Sequence, residues 1–276
     1  MNKYEERFNR RCNGDTLKKI KTLNNSDSFD IIINKLKIGK PFSFVRFGDA
    51  DYLMMFKENI NKIIGHNNKF LVTKELHDEI IETHNIIDEN FLIGSVIDTS
   101  IDNKLYSYKH FFRKYNITNL DINYNNLLSA VTLTETFCFN FNKFSEFIDE
   151  IKKYKIMFVG NYFHTNLKYL YGNQIIEFIE TPIQNSFSKV DLIYNEILSK
   201  INNIDLIIFS TGQTSRIIIK RLWKNNINKI MLDVGSLSDF AVLDTFIEKY
   251  IPVRNNIKKN KNTIIQNFNK IKANEG

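Results

Sequence analysis

The chain has 276 residues and a mass of 32.6 kDa, and its 43% apolar content excludes a disordered protein and suits one large α/β domain. Lysine and arginine outnumber the acids by 38 to 31, and the resulting net charge of +7 favours anionic ligands. Cys12 and Cys138 are too few for a disulfide framework, and no apolar run reaches the ~20 residues that span a bilayer. We therefore expect a cytoplasmic protein.

Short apolar runs alternate with longer amphipathic stretches, which is typical of a Rossmann-like, mostly parallel sheet flanked by helices. The predicted strands cover residues 42–47, 91–97, 127–133, 155–160, 174–179, 205–210 and 229–234. The predicted helices cover residues 27–38, 50–60, 73–87, 104–115, 143–153, 186–201, 214–225 and 237–249. No linker rich in proline, glycine or serine divides the chain, so we expect one domain over residues 1–252 and a basic tail or helix over residues 253–276.

The basic tail carries a weak apolar stripe formed by Ile257, Ile264, Ile265, Phe268 and Ile271. A docked or frayed terminal helix is the simpler interpretation of this stripe. Peripheral contact with a membrane surface is the alternative, since basic amphipathic segments bind anionic lipids.

The most informative stretch is residues 42–51, where an apolar run stops at Gly48 and is followed at once by Asp49 and Asp51, with Arg46 close by. A buried strand here would bring both acids to its carboxyl end, where open α/β sheets bind ligands. Two acids one residue apart suit a hard divalent cation. The structural alternative is that Asp49 only caps the following helix.

Polar residues also follow the later strands. Thr211, Gly212 and Thr214 stand where a glycine turn opens a helix, which is a ready site for an anion. Asp233 ends an apolar strand, and an acid in that position favours a functional role because its burial without a partner is costly. Asn185 follows another strand and could contact a base or a sugar. The histidines show no zinc-like spacing: His164 alone is weak support for a site, and His77 and His84 are predicted on a surface helix.

Residues 43–51, the segment from Pro182 to Phe187 and the block from Ser210 to Leu237 together resemble the GT-D glycosyltransferases in order and spacing. That family has an Arg-x-Gly-Asp-Gly-Glu type sequence after a strand and, later, a strand ending in Asp-Ile-Gly-His. The likeness covers roughly residues 40–245 and implies a GT-D type fold. Three positions depart from the pattern, because Ala50 replaces the family's second glycine, Asp51 its glutamate and Ser236 its histidine.

The resemblance implies a hexosyltransferase-like enzyme that moves a sugar from a nucleotide sugar, UDP-sugars above all, to a glycan, glycoprotein or glycolipid acceptor. It implies Mn²⁺ or Mg²⁺ held by Asp49 and Asp51 against the diphosphate, with Arg46 as a second cation. The expected catalytic residues are Arg46, Asp49, Asp51 and Asp233. The expected nucleotide-sugar contacts are Arg46, Gly48, Asn185, Thr211, Gly212, Thr214 and Asp233.

The sequence leaves several alternatives open. Asp233 or Asp239 could act as a general base, and neither the stereochemistry, the donor sugar, the acceptor nor the oligomeric state is fixed. Another nucleotide-dependent α/β enzyme, such as a methyltransferase or a dinucleotide-linked oxidoreductase, is the competing enzyme class, although no Gly-x-Gly-x-x-Gly turn follows the first strand. A non-catalytic nucleic-acid-binding protein is the third possibility. We do not expect it, because the aromatic residues stand mostly in apolar runs.

Overall fold

A computed structural model describes residues 22–56, 73–96, 127–161 and 167–238, together with positions 262, 265–267, 269 and 270. Within these ranges, seven strands form one sheet in the order β3-β2-β1-β7-β6-β4-β5, and all the pairings are parallel. The fold is therefore the predicted α/β type. The strands are β1 (Ser43–Phe47), β2 (Phe91–Ser95), β3 (Leu128–Ser129), β4 (Ile156–Gly160), β5 (Ile175–Glu180), β6 (Leu206–Ser210) and β7 (Ile230–Asp233).

Helices cover both faces of this sheet. Single turns of 3-10 helix lie at Gly172–Gln174, Ser186–Lys189, Ile201–Asn203 and Gly235–Leu237. The α-helices of the described ranges are α1 (Asn25–Ile38), α2 (Asp49–Phe56), α3 (Lys74–His84), α4 (Thr132–Phe139), α5 (Phe141–Ile151), α6 (Lys168–Tyr171), α7 (Val190–Lys200) and α8 (Gln213–Lys224). None of the helices in these ranges combines the length and the apolar character that a bilayer crossing requires.

The sheet has an apolar core on each face, which explains why the sequences of its strands are continuous apolar runs. Successive side chains of a strand point to opposite faces, so Phe44 packs with α1, α4 and α5 while Val45 packs with α2, α3, α7 and α8. Both of these side chains are fully buried. A strand that is covered on both faces needs apolar residues at every position, and this is the pattern from which the sheet was predicted.

The main difference from the prediction lies after β3. A strand was expected over residues 127–133, but β3 has only two residues and Thr132 already begins α4. Packing decides this: α4 lies against α1, and the Thr132 hydroxyl donates to the Asn25 carbonyl at 2.6 Å. The helix predicted over 186–201 begins later, at Val190, after a 3-10 turn. The short α6 was not predicted, and the helices expected over 104–115 and beyond Ser238 lie outside the described residues.

The described part of the tail is helical and contacts the domain. Asn267 is buried, and its side-chain amide lies 3.4 Å from the carbonyl oxygen of Phe137 in α4. The Lys270 ammonium lies 5.4 Å from the centre of the Phe141 ring in α5. These contacts place the described part of the tail against α4 and α5.

Candidate active site

The carboxyl ends of β1, β7 and β6 lie side by side in the middle of the sheet, because these strands are neighbours and run parallel. Each strand is followed closely by a glycine: Gly48 directly after β1, and Gly235 and Gly212 two residues beyond the ends of β7 and β6. The segments that the sequence singled out therefore meet at one edge, which is where open α/β sheets bind their ligands.

Asp51 lies in the first turn of α2 and is almost completely buried, with 2% of its surface exposed. Its Oδ2 accepts a hydrogen bond from the Gly48 backbone N–H at 2.7 Å. This is one half of a capping box, in which the side chain of the third helical residue accepts from the backbone N–H of the residue that precedes the helix. The same oxygen lies 2.9 Å from Nη2 of Arg216 in α8. Asp51 therefore both caps α2 and pairs with a cation.

Asp233, at the end of β7, is buried to the same degree, with 1% exposed. Its Oδ1 accepts from the Gly235 N–H at 3.0 Å, and its Oδ2 lies 3.6 Å from Nη1 of Arg216. Arg216 thus stands between the carboxylates of two different strand ends. Its Nη1 also donates to the Gly212 carbonyl, and its guanidinium lies 5.8 Å from the centre of the Phe47 ring.

Arg46, in β1, reaches across to the segment after β7. Its Nη1 donates to the Val234 carbonyl at 2.6 Å. Gly235 has φ +53°, and a Cβ at this position would lie only 2.5 Å from Nη1 of Arg46. Glycine is required here both for the left-handed backbone and for the close approach of the guanidinium. The Ser210 hydroxyl holds the same turn by donating to the Gly235 carbonyl at 2.7 Å.

The N-terminus of α8 is left without a side-chain cap. Its N-cap residue is Gly212, with φ +62° and ψ −136°, and a Cβ there would meet nothing within 4 Å. An uncapped N-terminus beside open space offers backbone N–H groups and the positive end of the helix dipole to an anion. Thr211 and Thr214 are directed inward instead: the Thr211 hydroxyl donates to Ser215 Oγ at 3.2 Å, and the Thr214 hydroxyl lies 2.7 Å from Ser186 Oγ.

Asn185 adopts a left-handed conformation, with φ 51°, at the start of the 3-10 turn that precedes α7. The following Ser186 fastens this loop to α8, because its hydroxyl also lies 3.2 Å from the Thr211 carbonyl oxygen. The loop that carries Asn185 therefore borders the N-terminus of α8. The Asp49 side chain, His164 and Asp239 lie outside the described part of the molecule.

A buried polar chain beside α2 was not predicted. His84 is fully buried rather than on a surface, and its Nε2 lies 3.1 Å from the hydroxyl of Tyr52. That hydroxyl donates to Ser95 Oγ, at the end of β2, at 2.7 Å. Burial lowers the pKa of His84 to about 4, so the imidazole is neutral at physiological pH. The chain fixes α2, and with it Asp51, against α3 and β2.

The described residues do not present a ready-made set of ligands for a divalent cation around Asp51. Oδ2 of Asp51 accepts a hydrogen bond from the Gly48 N–H and pairs with the Arg216 guanidinium. The Asp233 carboxylate accepts from the Gly235 N–H and faces the same guanidinium. Across the described ranges, no group of three or more His, Cys, Asp or Glu side chains could hold a metal ion. Asp49, whose side chain lies outside the described part of the molecule, stays a predicted ligand.

Comparisons with known proteins agree with this architecture. A family model described as a GT-D fold-like domain matches residues 23–241. The solved structure titled "A New Glycosyltransferase (DUF1792) from Streptococcus sanguinis" is similar at TM-score 0.60 and 19% identity, covering 83% of this chain and 85% of that one. A structure titled "The highly conserved domain of unknown function 1792 has a distinct glycosyltransferase fold" gives a TM-score of 0.58 at 17% identity, covering 81% and 80%. A selenomethionine-substituted DUF1792 domain gives 0.61 at 17% identity, covering 85% and 83%. A search among curated proteins gives no significant match.

Proposed function

The chain belongs to the GT-D-like family, whose membership supports a glycosyltransferase activity, and from this premise we propose that it transfers a sugar from a nucleotide-sugar donor to a saccharide-bearing acceptor. A UDP-sugar is the proposed donor. One observation carries the proposal: two arginines and an uncapped helix N-terminus converge at the central carboxyl edge of the sheet.

A nucleoside diphosphate suits this convergence because its phosphates carry the charge that such a site attracts. The first turn of α8 would receive one phosphate on its backbone N–H groups. Arg46 is half-buried and stands at the same edge, so it would face the leaving diphosphate. Donors that are already held in place stabilise the developing negative charge without reorganisation, and this stabilisation commonly contributes more to catalysis than any other single effect.

Asn185 is proposed as a contact for the base or the ribose, since its loop borders the N-terminus of α8. Thr211 and Thr214 would position the loop and the first turn of α8 and would not contact the ligand through their side chains, because their hydroxyls are hydrogen-bonded to Ser215 and Ser186. Gly48 and Gly212 would contribute close approach of the backbone. A divalent cation, if it accompanies the diphosphate, is assigned to Asp49 alone among the expected carboxylates, and no step of the reaction is derived through it.

A cleft of about 330 Å³ beside the end of β5 is proposed for the acceptor. Only β4 separates β5 from β6, so the cleft lies about 10 Å along the sheet from the end of β6, at about 4.8 Å per strand spacing. Its lining combines charged groups, which bind hydroxyls, with an apolar floor that suits the C–H face of a sugar. The lining residues are Glu180, Thr181, Pro182, Lys189, Leu192, Ile193 and Glu196.

Calorimetric titration with UDP, in Mn²⁺ and in EDTA, tests the proposed donor without knowledge of the sugar or the acceptor. We expect binding that weakens in Arg46→Gln and is unchanged in Lys229→Gln. Lys229 is the control because it precedes β7, at the opposite edge of the sheet, where it donates to the Ile204 carbonyl at 2.5 Å. Binding would justify a screen of UDP-sugars for hydrolysis. Failure to bind any nucleoside diphosphate in either buffer would refute the proposal.

A further inference from the structure

Arg216 contacts the carboxylates of both Asp51 and Asp233, which end up at the central edge of the sheet. We infer that Arg216 is the resident cation of the site and that Asp51 and Asp233 are positioning residues, which hold its guanidinium, rather than ligands of a divalent metal. The inference deepens the proposed function and depends on it for the identity of the ligand, a nucleoside diphosphate. The ion triad itself is defined by geometry alone.

Burial makes the three residues one unit. Arg216 is 7% exposed, and the two acids are still less exposed, so the opposite charges beside each group offset part of the cost of its burial. A guanidinium is the cation suited to this place, because its planar fork can face two carboxylates at once. Replacing it by an apolar side chain would leave two buried carboxylates at the same edge, which is a strongly unfavourable arrangement.

The guanidinium also has donor capacity that the triad does not use. Among the described residues, no acceptor is bonded to Nε of Arg216, although that atom is buried. The group is held against the turn that opens α8, because its Nη1 donates to the Gly212 carbonyl. An anion that settles on the first turn of α8 would therefore meet a fixed positive charge as well as the backbone N–H groups.

The triad changes the role expected of Asp51. A metal ligand must offer oxygen lone pairs to the ion, whereas the Oδ2 of Asp51 already accepts from the Gly48 N–H and faces Arg216 at 2.9 Å. A cation drawn to this oxygen would have to compete with a guanidinium of the same sign. Substituting Asp51 should therefore weaken nucleotide binding by loosening Arg216, and the loss should not depend on metal.

The test is the ratio of UDP affinity in Mn²⁺ to UDP affinity in EDTA, measured by calorimetry for Arg216→Met, Arg216→Lys and Asp51→Asn. We expect Arg216→Met to lose about tenfold or more in both buffers, and Arg216→Lys to lose less because it keeps the charge. Asp51→Asn should bind more weakly by the same factor in both buffers, so that its ratio equals that of the wild type. Two results together would overturn the inference: Asp51→Asn loses UDP affinity in Mn²⁺ but not in EDTA, and Arg216→Met binds UDP with the affinity of the wild type.

A second measurement needs no nucleotide, and so separates failure of this inference from failure of the proposed function. Urea midpoints are compared for Asp51→Asn, Arg216→Met and the double variant. If the two residues compensate each other, the double variant unfolds at a higher urea concentration than Arg216→Met alone, because one orphaned carboxylate has been neutralised. Additive losses would refute the triad. Arg221→Met is the control on the same helix, since Arg221 pairs with the exposed Asp191 and with Glu79.

Discussion

Replacing Gly235 with alanine should damage both the stability of the protein and the proposed donor site, because the glycine serves two purposes. Its φ of +53° is a left-handed conformation, which costs an L-residue about 1–2 kcal/mol. The new Cβ would also lie 2.5 Å from Nη1 of Arg46 and 2.8 Å from Cζ, so the guanidinium has to move.

Moving Arg46 breaks the hydrogen bond to the Val234 carbonyl, which is 2.6 Å long and donated by a charged group. Such a bond contributes about 1.5–3 kcal/mol. The total expected loss in the free energy of unfolding is therefore about 2.5–5 kcal/mol, less whatever the displaced guanidinium recovers from water. UDP affinity should fall as well, since Arg46 leaves its place.

Gly39→Ala is the matched control. Gly39 ends α1 with φ 71° and ψ 9°, so alanine there meets a comparable backbone cost, but its Cβ would lie at an ordinary 3.5 Å from the Tyr154 hydroxyl. Urea unfolding and UDP calorimetry of both variants isolate the contribution of Arg46. Equal losses of stability together with unchanged UDP affinity in Gly235→Ala would refute the reasoning.

Three further predictions concern stability. Burial lowers the pKa of His84 to about 4, so the unfolded chain binds a proton below pH ~6.5 that the folded chain binds only near pH 4. The free energy of unfolding should therefore fall by about 3 kcal/mol as the pH drops from about 6.5 to about 4. His84→Leu should flatten this slope in urea titrations, and an unchanged slope would contradict the assignment. Lys220→Met should lower the free energy of unfolding by about 1–3 kcal/mol, because this 3% exposed ammonium pairs with Glu79 and, at 2.8 Å, with Glu82. Lys224→Met is the control: Lys224 is exposed and lies 3.5 Å from Glu82, so its loss should lower the free energy of unfolding by less than about 1 kcal/mol. Gly94→Ala should cost about 1–3 kcal/mol, since its Cβ would lie 2.9 Å from the Phe44 ring, and a wild-type urea midpoint would exclude that overlap.

The sheet could be predicted because its strands are covered on both faces. Each predicted strand overlaps an observed one, and their parallel pairing follows from the intervening helices. Residues 127–133 show the limit of this reasoning. Val131, Thr132 and Thr134 are β-branched, and locally they favour a strand, but the packing of α4 on α1 outweighs that preference.

The site was only partly visible in the sequence for a related reason. Glycines and acids that directly follow strands can be assigned to the carboxyl edge from their order alone, and Asp51, Gly212 and Asp233 lie there. Arg216 stands in the first turn of α8, and nothing local distinguishes it from a surface cation. Its role emerges only when the fold brings β1 and β7 together. Likewise, the inward direction of Thr211 depends on Ser215, one turn along the helix.

The pairing of β1 with β7 determines when a newly made chain can acquire activity. Arg46 and Val234, which meet at this junction, are 188 positions apart, so the contact closes one of the longest loops in the sheet. Contacts of such sequence separation form slowly, and on the ribosome this one must wait for β7 to emerge. A nascent chain that already holds β1 to β6 still lacks Asp233 and the turn at Gly235. The proposed donor site therefore cannot form until β7 and the turn at Gly235 have been synthesised.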